Sequence, residues 1–403
     1  MTNITMKGVT FEPRNVVRVA VAGLGSRGRS LLHDLLGIEQ IEITALCDVA
    51  PSALAQAETL VAQTNRKAPA LLTDYSALCQ RNDIDIVYIA SHWDAHTPMA
   101  VEAMENGFHV GLEVPAATTL EDCWHLVETS ERTRRHCILL ENCLYGDEEM
   151  LLYNLVQSGA LGTLTHGEAA YIHYLRDFLF QPHRTLGNWR RAAHRTHNGN
   201  LYPTHGLGPI ARCMGINRGD RFTCLVSMSS LEASLSEHRD SQLPLDAPER
   251  NETYTCGDIN LSLLQTAIGR TLLLEYNIVT PRPYSRGTLL QGTKGTFRDF
   301  PPGIFFATSA DHYQWEPIDS FRERYTDPLW KQFGEQARRI SGHGGMDYIM
   351  SWRLMECLKQ GLEPDTNVYD AATWSAPGPL SELSIAQSSN SVAFPDFTRG
   401  HWE

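Results

Sequence analysis

The stretch that decides the fold reads VVRVAVAGLGSRG at residues 16–28, where a run of β-branched valines meets a turn with three glycines. The residues that follow, 29–37, read RSLLHDLLG and place leucines at helical spacing. Together these residues predict a strand, a tight turn and a helix in direct succession. In that arrangement Gly23 permits the turn, Gly25 lets the backbone approach a ligand, and Gly28 lets helix and strand pack closely.

The residues around this turn favour a dinucleotide site over a purely structural glycine turn. A helix that begins at such a turn presents free N–H groups and the positive end of its dipole to a pyrophosphate. About twenty residues later the second predicted strand, IEITALCD, ends in Asp48, whose carboxylate can accept the ribose hydroxyls of NAD. Arg27 is long enough to reach a 2′-phosphate, but Asp48 would repel one. The sequence therefore predicts NAD, rather than its phosphate, as the cofactor.

Length and composition narrow the class of protein. The chain has 403 residues, enough for two domains and a sizeable core, and no apolar run long enough to span a bilayer. The net charge of −13 argues against nucleic acid or an anionic membrane surface as a partner, but not against a neutral small molecule. The nine cysteines form no CxxC pair, which favours reduced, buried thiols. The N-terminus has no apolar signal core, so we expect a cytoplasmic protein, or an exported or periplasmic one if a leader has been removed.

The order of predicted elements separates two kinds of fold. Residues 16 to about 145 alternate apolar strands with amphipathic helices, a pattern typical of a doubly wound parallel sheet of the Rossmann type. From about residue 162 strands follow one another without helices between them, which predicts an α+β domain with an open, mostly antiparallel sheet. We therefore expect two domains, at residues 1–147 and 148–403, with the C-terminal tail free to pack back on the first.

Three segments of the second half lack a regular pattern. Residues 176–200 are rich in His, Arg and Trp and indicate irregular structure, and residues 231–251 are polar and indicate a mobile loop. The tail from residue 375 is rich in Ser and Pro and is also predicted to be loop. In the first half, polar residues follow the predicted strands, whose carboxyl ends meet at one edge of the sheet. We expect that edge to bind the ligand.

Two histidine motifs have more than one interpretation. His92 and His96 lie four residues apart and would bind a metal only if both faced one side of a helix. Because Pro98 follows and no third ligand is obvious, we interpret them as a loop entering a helix and expect no metal; they would wall the nicotinamide ribose or simply pack. In NGNLYPTHG at residues 198–206, His205 offers an imidazole suited to proton transfer near neutral pH, although a structural role fits equally well.

Longer motifs carry a resemblance to a known superfamily. The first half resembles the Gfo/Idh/MocA oxidoreductases in GLGSRG, in Asp48, in the loop with His96 and in GFHVGLEVP at residues 107–115. Most members of that superfamily end the last motif in Glu-Lys-Pro, and the lysine assists hydride transfer at the substrate hydroxyl. Here Val114 stands in the place of that lysine, which argues against simple alcohol dehydrogenation.

Within that superfamily, the departure at Val114 is similar to glycoside hydrolase family 109, the NAD-dependent α-N-acetylgalactosaminidases. So are LLENCLYG, GEAAYIH, GNLYPTHGLGPIARCMGINRGDRF, TPRPYSR and GHGGMDY, which extend the resemblance from about Arg18 to Trp402. Tyr174 departs from the pattern, since aspartate is expected after YIH, and this bears on the sugar pocket or the preferred linkage. The GHGGMDY turn at residues 342–348 has no predicted role beyond a bend that its glycines permit. The fold class also implies a homo-oligomer, a dimer that pairs exposed sheets.

The resemblance implies a hydrolysis that passes through an oxidised sugar. NAD⁺ would take hydride from C3, and the resulting ketone would acidify the hydrogen on C2. A base would remove that proton, the group on C1 would leave by elimination, water would add to the alkene, and the hydride would return to C3. The net reaction is hydrolysis without redox change and needs no pair of carboxylates. The alternative is a net NAD-dependent sugar dehydrogenase or epimerase.

The same resemblance assigns residues to these steps. Tyr171 in YIH looks like the proton-transfer residue at C2, and His205 in YPTH like the residue that handles the proton of the C3 hydroxyl, although which residue takes which proton stays open. A phenol is a weak base at neutral pH, so a nearby cation must help Tyr171. Contacts to the sugar are implied for Glu141, Tyr171, Arg190, Tyr202, Pro203, Thr204, His205 and Tyr284. The implied cofactor shell consists of Gly23, Gly25, Ser26, Arg27, Gly28, Asp48, Trp93, Asp94, Ala95, His96, Glu113, Val114 and Asn142.

Overall fold

The computed structural model describes residues 5–181 and 185–403. The chain forms two compact units, Met1–Met150 with Thr326–Thr373 and Leu151–Tyr325 with Trp374–Glu403. The sequence predicted one domain at residues 148–403. The structure differs from that division, because Thr326–Thr373 belong to the first unit. No helix in the described ranges has the length and apolar character that a membrane crossing requires.

The first unit is built on a parallel sheet. Its strands are β1 (Val17–Ala22), β2 (Ile41–Cys47), β3 (Ala70–Leu72), β4 (Ile86–Ile89), β5 (His109–Leu112) and β6 (Cys137–Leu139). They lie in the order β3-β2-β1-β4-β5-β6, and every neighbouring pair is parallel. Strands β4 and β5 are buried along their whole length, as expected of a parallel sheet covered on both faces. This order is that of a dinucleotide-binding Rossmann sheet, which confirms the predicted doubly wound fold.

Helices alternate with these strands, as the sequence pattern predicts. They are α1 (Ser26–Leu36), α2 (Pro51–Ala62), α3 (Tyr75–Cys79), α4 (Trp93–Glu105) and α5 (Leu120–Thr133). The predicted loop at residues 92–96 is wrong, because α4 already begins at Trp93 with His92 as its N-cap. Pro98 lies inside this helix but close to its start, where the missing N–H removes one backbone hydrogen bond and the helix continues.

The second unit carries a larger, mixed sheet. Its strands are β7 (Leu164–Ile172), β8 (Phe222–Ser229), β9 (Asn260–Thr266), β10 (Thr271–Asn277), β11 (Leu289–Gly292), β12 (Gly295–Arg298), β13 (Gly303–Phe306) and β14 (Val392–Ala393). The order is β13-β12-β11-β7-β10-β9-β8-β14. Strands β7 and β10 are parallel, and the other neighbouring pairs are antiparallel. The predicted α+β domain with a mostly antiparallel sheet is therefore confirmed.

Helices also occupy the segments that the sequence left irregular. From residue 147 onward they are α6 (Asp147–Gln157), α7 (Arg176–Leu179), α8 (Thr185–Thr196), α9 (Thr204–Cys213), α10 (Ser234–Gln242), α11 (Asp319–Tyr325), α12 (Pro328–Ile340), α13 (Met346–Gln360), α14 (Val368–Ser375) and α15 (Pro377–Ala386). The prediction of irregular structure is wrong for α7, α8, α10 and α15. Helix α10 buries one side chain, Leu235, so it shows no apolar periodicity. In α15, Pro377 occupies the first turn, where a fixed φ suits a helix.

Apolar packing explains why residues 326–373 belong to the first unit. Helix α13 buries Tyr348, Ile349 and Met355, and it packs against α1 and β1. Helix α12 packs in turn on α13. The Rossmann sheet therefore receives part of its cover from a segment almost 200 residues after β6 in the chain.

Candidate active site

The three glycines of the first turn have different surroundings. A Cβ at Gly23, whose φ is +83°, would lie 2.5 Å from the Ala90 carbonyl oxygen, and one at Gly28 would lie 1.8 Å from the Gly23 carbonyl oxygen. A Cβ at Gly25 would meet no atom within 4 Å. Helix α1 begins directly after Gly25, and no described side chain caps it. The turn therefore has an open side with backbone N–H groups at a helix N-terminus, which fits the pyrophosphate of a dinucleotide.

Asp48 holds this turn in place. One carboxylate oxygen accepts the Leu24 N–H at 2.6 Å, and the other accepts the Ala50 N–H at 2.8 Å. Each oxygen of an ionised carboxylate has a second lone pair, so these bonds leave acceptor capacity for ribose hydroxyls. The residue predicted to read the ribose thus also fixes the distance between the glycine turn and the end of β2.

His96 ties the loop after β5 to the end of β4. Its ring is buried, with Nδ1 at 2.8 Å from the Pro115 carbonyl oxygen and Nε2 at 3.1 Å from that of Ser91. Burial lowers the pKa of His96, so the ring is neutral near pH 7. The other predicted cofactor residues of this helix form its first turn: Trp93, Asp94 and Ala95.

Arg27 is held by two carboxylates of the first unit. Its Nε lies 2.7 Å from a Glu113 carboxylate oxygen, and its Nη1 and Nη2 lie 2.7 and 3.1 Å from the two oxygens of Asp347. These bonds use all three nitrogens of the guanidinium. The idea that Arg27 reaches out to a 2′-phosphate does not fit this arrangement, which agrees with the prediction of NAD.

Glu141 and Asn142 follow β6 in the same unit. Glu141 is fully buried, and one of its carboxylate oxygens accepts the Cys143 N–H at 3.1 Å at the start of a short 3₁₀ turn. Asn142 is also buried and donates from Nδ2 to Asp347 at 2.7 Å. The role of Glu141 as a sugar contact stays a prediction.

In the second unit, five predicted sugar or catalytic residues lie together. We call this group the tyrosine cluster: Tyr171, Arg190, Tyr202, His205 and Tyr284. The Tyr171 ring centroid is 4.7 Å from that of Tyr202, 5.5 Å from that of His205 and 6.4 Å from that of Tyr284. Tyr171 and Tyr202 are buried, whereas Tyr284 is 39% exposed. The cluster therefore offers rings, hydroxyl groups and one imidazole on its partly open side.

The fold explains how distant parts of the chain meet in this cluster. Tyr171 lies on β7, and His205 lies in the first turn of α9, which packs against β7. The approach is so close that a Cβ at Gly206 would lie 2.5 Å from the backbone of Ala170. Two backbone hydrogen bonds of 3.0 Å between Ile172 and Ser285 bring the neighbouring Tyr284 to the same place. The predicted sugar contacts Pro203 and Thr204 are buried at the start of α9.

Arg190 supplies the cation that the sequence argument required beside Tyr171. Its guanidinium carbon lies 4.7 Å from the Tyr202 ring centroid. Burial disfavours the charge, but attraction to Tyr171 and Tyr202 outweighs burial, so the pKa of Arg190 is raised and the side chain stays cationic. A fixed positive charge favours the phenolate form of a neighbouring tyrosine.

One member of the site was not predicted. His173 lies two residues after Tyr171, so both side chains leave the same face of the chain, and its Nδ1 is 2.9 Å from the Tyr171 hydroxyl oxygen. Its ring also meets that of Tyr284 edge-on, with centroids 5.1 Å apart. The spacing in YIH was the available signal. Tyr174, the departure from the family pattern, is 37% exposed, and the Arg176 guanidinium carbon lies 5.2 Å from its ring centroid.

Two family models match consecutive parts of the chain. The family model described as "Glycosyl hydrolase 109, C-terminal domain" matches residues 145–403. The model described as "Oxidoreductase family, NAD-binding Rossmann fold" matches residues 17–140. The two matches together cover almost the whole chain.

Curated relatives are similar over nearly the full length. A glycosyl hydrolase family 109 protein from Solibacter usitatus is 48% identical, and the match covers 99% of this chain and 92% of the relative. Another from Saccharopolyspora erythraea is 46% identical, with 99% of this chain and 87% of the relative covered.

Solved structures show the same fold at low identity. A levoglucosan dehydrogenase in complex with NADH and L-sorbose superposes with a TM-score of 0.74 at 16% identity, covering 95% of this chain and 100% of that one. An oxidoreductase domain protein from Kribbella flavida gives the same TM-score and coverage at 18% identity. Because the family's C-terminal domain model and relatives of nearly full length both match, the chain belongs to glycosyl hydrolase family 109 and is a glycoside hydrolase with an NAD-binding Rossmann domain.

Proposed function

We propose that this enzyme removes terminal α-linked N-acetylgalactosamine by a reversible oxidation at C3 of the sugar. The observation that carries the proposal is the tyrosine cluster, in which a phenol, an imidazole and a guanidinium lie within ring-contact distance of one another. Such a set can move protons and bind hydroxyl groups, which suits a neutral sugar. A hydrolase that works through elimination needs this chemistry rather than two opposed carboxylates.

Each residue of the cluster has a part in this route. NAD, when bound, supplies the group that accepts the C3 hydride and gives it back. His205 accepts the proton of the C3 hydroxyl, and Tyr171 removes the C2 proton once C3 is a ketone. Arg190 favours the phenolate of Tyr171 by its charge, and His173 shares the phenol proton through the 2.9 Å contact. Tyr202 and Tyr284 present ring faces and hydroxyl groups to the sugar.

Val114 separates this proposal from the alternative of a net sugar dehydrogenase or epimerase. The position that carries a lysine in most of the oxidoreductase superfamily holds a buried aliphatic side chain here. An aliphatic side chain cannot donate or accept the proton of a substrate hydroxyl. The proton must then be handled in another way, and His205 is the group that we assign to it.

The test uses the enzyme with its NAD and a panel of aryl glycosides. We expect cleavage of the α-N-acetylgalactosaminide without net formation of NADH, and deuterium at C2 of the released sugar when the reaction runs in heavy water. Stoichiometric NADH without cleavage would support the dehydrogenase instead. Cleavage without deuterium at C2 would indicate direct displacement at C1 and remove Tyr171 from its assigned role.

We also propose that the enzyme is a homodimer that pairs the open faces of its second-unit sheets. On β8 and β9, Met228, Leu261 and Leu263 are 61%, 45% and 49% exposed, and Met228 pairs directly with Leu261. Contiguous apolar surface of this kind marks interfaces between chains. Light scattering should give a dimer for the parent and a monomer for the double variant Leu261→Glu/Leu263→Glu. A monomeric parent would contradict the proposal.

A further inference from the structure

Asp347 is the hub of a buried polar network in the first unit. Its side chain is fully buried and accepts hydrogen bonds on both oxygens. Oδ1 receives Nη2 of Arg27 at 3.1 Å and Nδ2 of Asn142 at 2.7 Å. Oδ2 receives Nη1 of Arg27 at 2.7 Å and lies 2.7 Å from Nδ1 of His343. Together with Glu113, which binds Nε of Arg27, these residues form what we call the Asp347 network.

The double-glycine turn of GHGGMDY places Asp347 where this network needs it. Gly344 and Gly345 have φ of +70° and +100°, a conformation that side-chain-bearing residues rarely adopt. A Cβ at Gly345 would also lie 2.8 Å from the carbonyl carbon of Ala337 on α12. The chain can therefore turn tightly from α12 into α13, with Asp347 in the first turn of α13. The positive end of the α13 dipole favours a carboxylate at that position.

Charge keeps Asp347 ionised despite its burial. Burial alone would favour the neutral acid, but Arg27 and the bond to His343 hold the pKa of Asp347 well below its usual range. The same bond raises the pKa of His343. A carboxylate that faces four donor groups, two of them from one arginine, has one preferred geometry. The network therefore fixes the positions of the groups that it joins.

Three of the groups that it joins, Arg27, Glu113 and Asn142, belong to the predicted cofactor shell. Arg27 lies in the first turn of α1, directly after the glycine turn, whereas Glu113 and Asn142 lie at the carboxyl ends of β5 and β6. In an open parallel sheet, these carboxyl ends and the first turn enclose the dinucleotide. One side chain contributed by residues 326–373 thus connects three separate loops of the cofactor edge.

We propose that Asp347 is a positioning residue for NAD, which acts through Arg27 and Asn142 to hold the glycine turn and the ends of β5 and β6 at the spacing that the cofactor requires. It does not touch the reacting atoms. By accepting hydrogen bonds from two nitrogens of Arg27, while Glu113 accepts from the third, it also keeps that guanidinium from attracting a 2′-phosphate. The competing interpretation is an ion pair that only stabilises the unit.

The first unit provides a matched control for that interpretation. The Asp85 side chain is also buried and is bound by an arginine through two nitrogens, with Nη2 and Nε of Arg18 at 2.8 and 3.1 Å. Asp85 immediately precedes β4, at the amino end of the strand. Loss of either carboxylate leaves arginine N–H groups without a charged partner and destabilises the unit, but only Asp347 lies at the cofactor edge.

The experiment compares Asp347→Asn with Asp85→Asn. Thermal unfolding without added NAD should show lower midpoints for both variants. The Kd for NAD, measured by titration calorimetry after removal and re-addition of the cofactor, should rise about ten-fold for Asp347→Asn and stay within about two-fold of the parent for Asp85→Asn. Parent-like NAD affinity in Asp347→Asn, or an equal loss in Asp85→Asn, would overturn the proposal. No glycoside enters this measurement, so it stands apart from the proposed substrate.

A second variant covers the case in which Asp347→Asn does not fold. His343 contacts Asp347 from an exposed position, so His343→Ala removes one donor of the network with little effect on the core. We expect a rise of about three-fold in the Kd for NAD and an unchanged unfolding midpoint without NAD. An unchanged Kd would contradict the role of the network.

Discussion

The Asp347 network of the first unit and the tyrosine cluster of the second are held together by different forces. The first is a buried set of ion pairs in which Asp347 accepts on both oxygens and Arg27 donates through three nitrogens. The second is a set of tilted and edge-on rings around one guanidinium, and it is partly open to solvent. Ion pairs of this kind fix direction, whereas ring faces tolerate variation in what packs on them.

This difference suits two kinds of ligand. A resident cofactor such as NAD gains from a preorganised edge whose groups do not move when it binds. A sugar that enters and leaves needs hydroxyl partners and a proton-transfer group that keeps access to solvent. Substitutions in the two regions should therefore have different effects. Substitutions in the first unit should reduce NAD retention, and substitutions in the second should reduce turnover with NAD still bound.

The largest effect should come from Tyr171→Phe. Loss of the hydroxyl removes the proposed C2 base, so kcat on an aryl α-N-acetylgalactosaminide should fall by about 1,000-fold. NAD content, measured by absorbance after denaturation, should stay at the parent level because the residue lies in the second unit. Tyr313→Phe removes a hydroxyl from a side chain that is 93% exposed and serves as the control. Turnover like the parent's would show that Tyr171 only packs.

Gly25→Val tests the first unit, where a substitution should reduce NAD binding. The new side chain points into space that is open in the described structure, so the unfolding midpoint without NAD should be unchanged. The Kd for NAD should rise about 100-fold, which corresponds to about 2.7 kcal/mol. Gly28→Ala is the contrasting variant, because its Cβ would lie 1.8 Å from the Gly23 carbonyl oxygen and should destabilise the unit itself. Undiminished NAD binding by Gly25→Val would place the pyrophosphate elsewhere.

The pH dependence of the free energy of unfolding should report on a buried carboxyl group of the first unit. Asp34 is buried on α1, and burial, with a further contribution from Asp347, raises its pKa to about 7. The folded state therefore keeps a proton on Asp34 that the unfolded state releases near pH 4. The free energy of unfolding of the parent consequently falls as pH rises towards 7. Asp34→Asn cannot titrate. Its free energy of unfolding relative to the parent should rise by about 2 kcal/mol between pH 5 and 7, then level off. Denaturant unfolding across this range measures it, and a flat difference would contradict the assignment.

The sequence predicted the first unit well because its signals are local. Strand, glycine turn and helix lie within one short stretch, and the alternation of strands and helices indicates a parallel sheet. The Asp347 network is the part that sequence reasoning missed. Arg27 and Asp347 are 320 residues apart, and no local pattern shows that α13 packs against α1. The motif GHGGMDY could be recognised in the sequence, but the contact of its aspartate with Arg27 could not be predicted.

In the second unit the residues of the cluster and the mostly antiparallel sheet were predicted, but four helices were not. Tyr171, Tyr202 and His205 came from motif resemblance, and the structure brings them together. The helices α7, α8, α10 and α15 escaped prediction because their sequences are polar or rich in serine and proline, so no apolar stripe marks them. Tertiary packing supports such helices where local propensity does not. His173 was missed for a further reason, since its position two residues after Tyr171 gains meaning only when Tyr171 has a role.

His173→Gln should have the smallest effect of the four and gives the sharpest test of the tyrosine cluster. A neutral imidazole can accept the phenol proton through Nδ1, which helps Tyr171 to act as a base, and a protonated imidazole cannot. The variant should therefore lose about ten-fold of kcat/KM at pH 7. His166→Gln is the matched control, because His166, on β7, is also a half-buried histidine, with Nδ1 at 2.8 Å from a hydroxyl oxygen, that of Thr271. If both variants lower the rate equally, the Tyr171–His173 contact only supports packing, and Arg190 alone has to make the phenol basic.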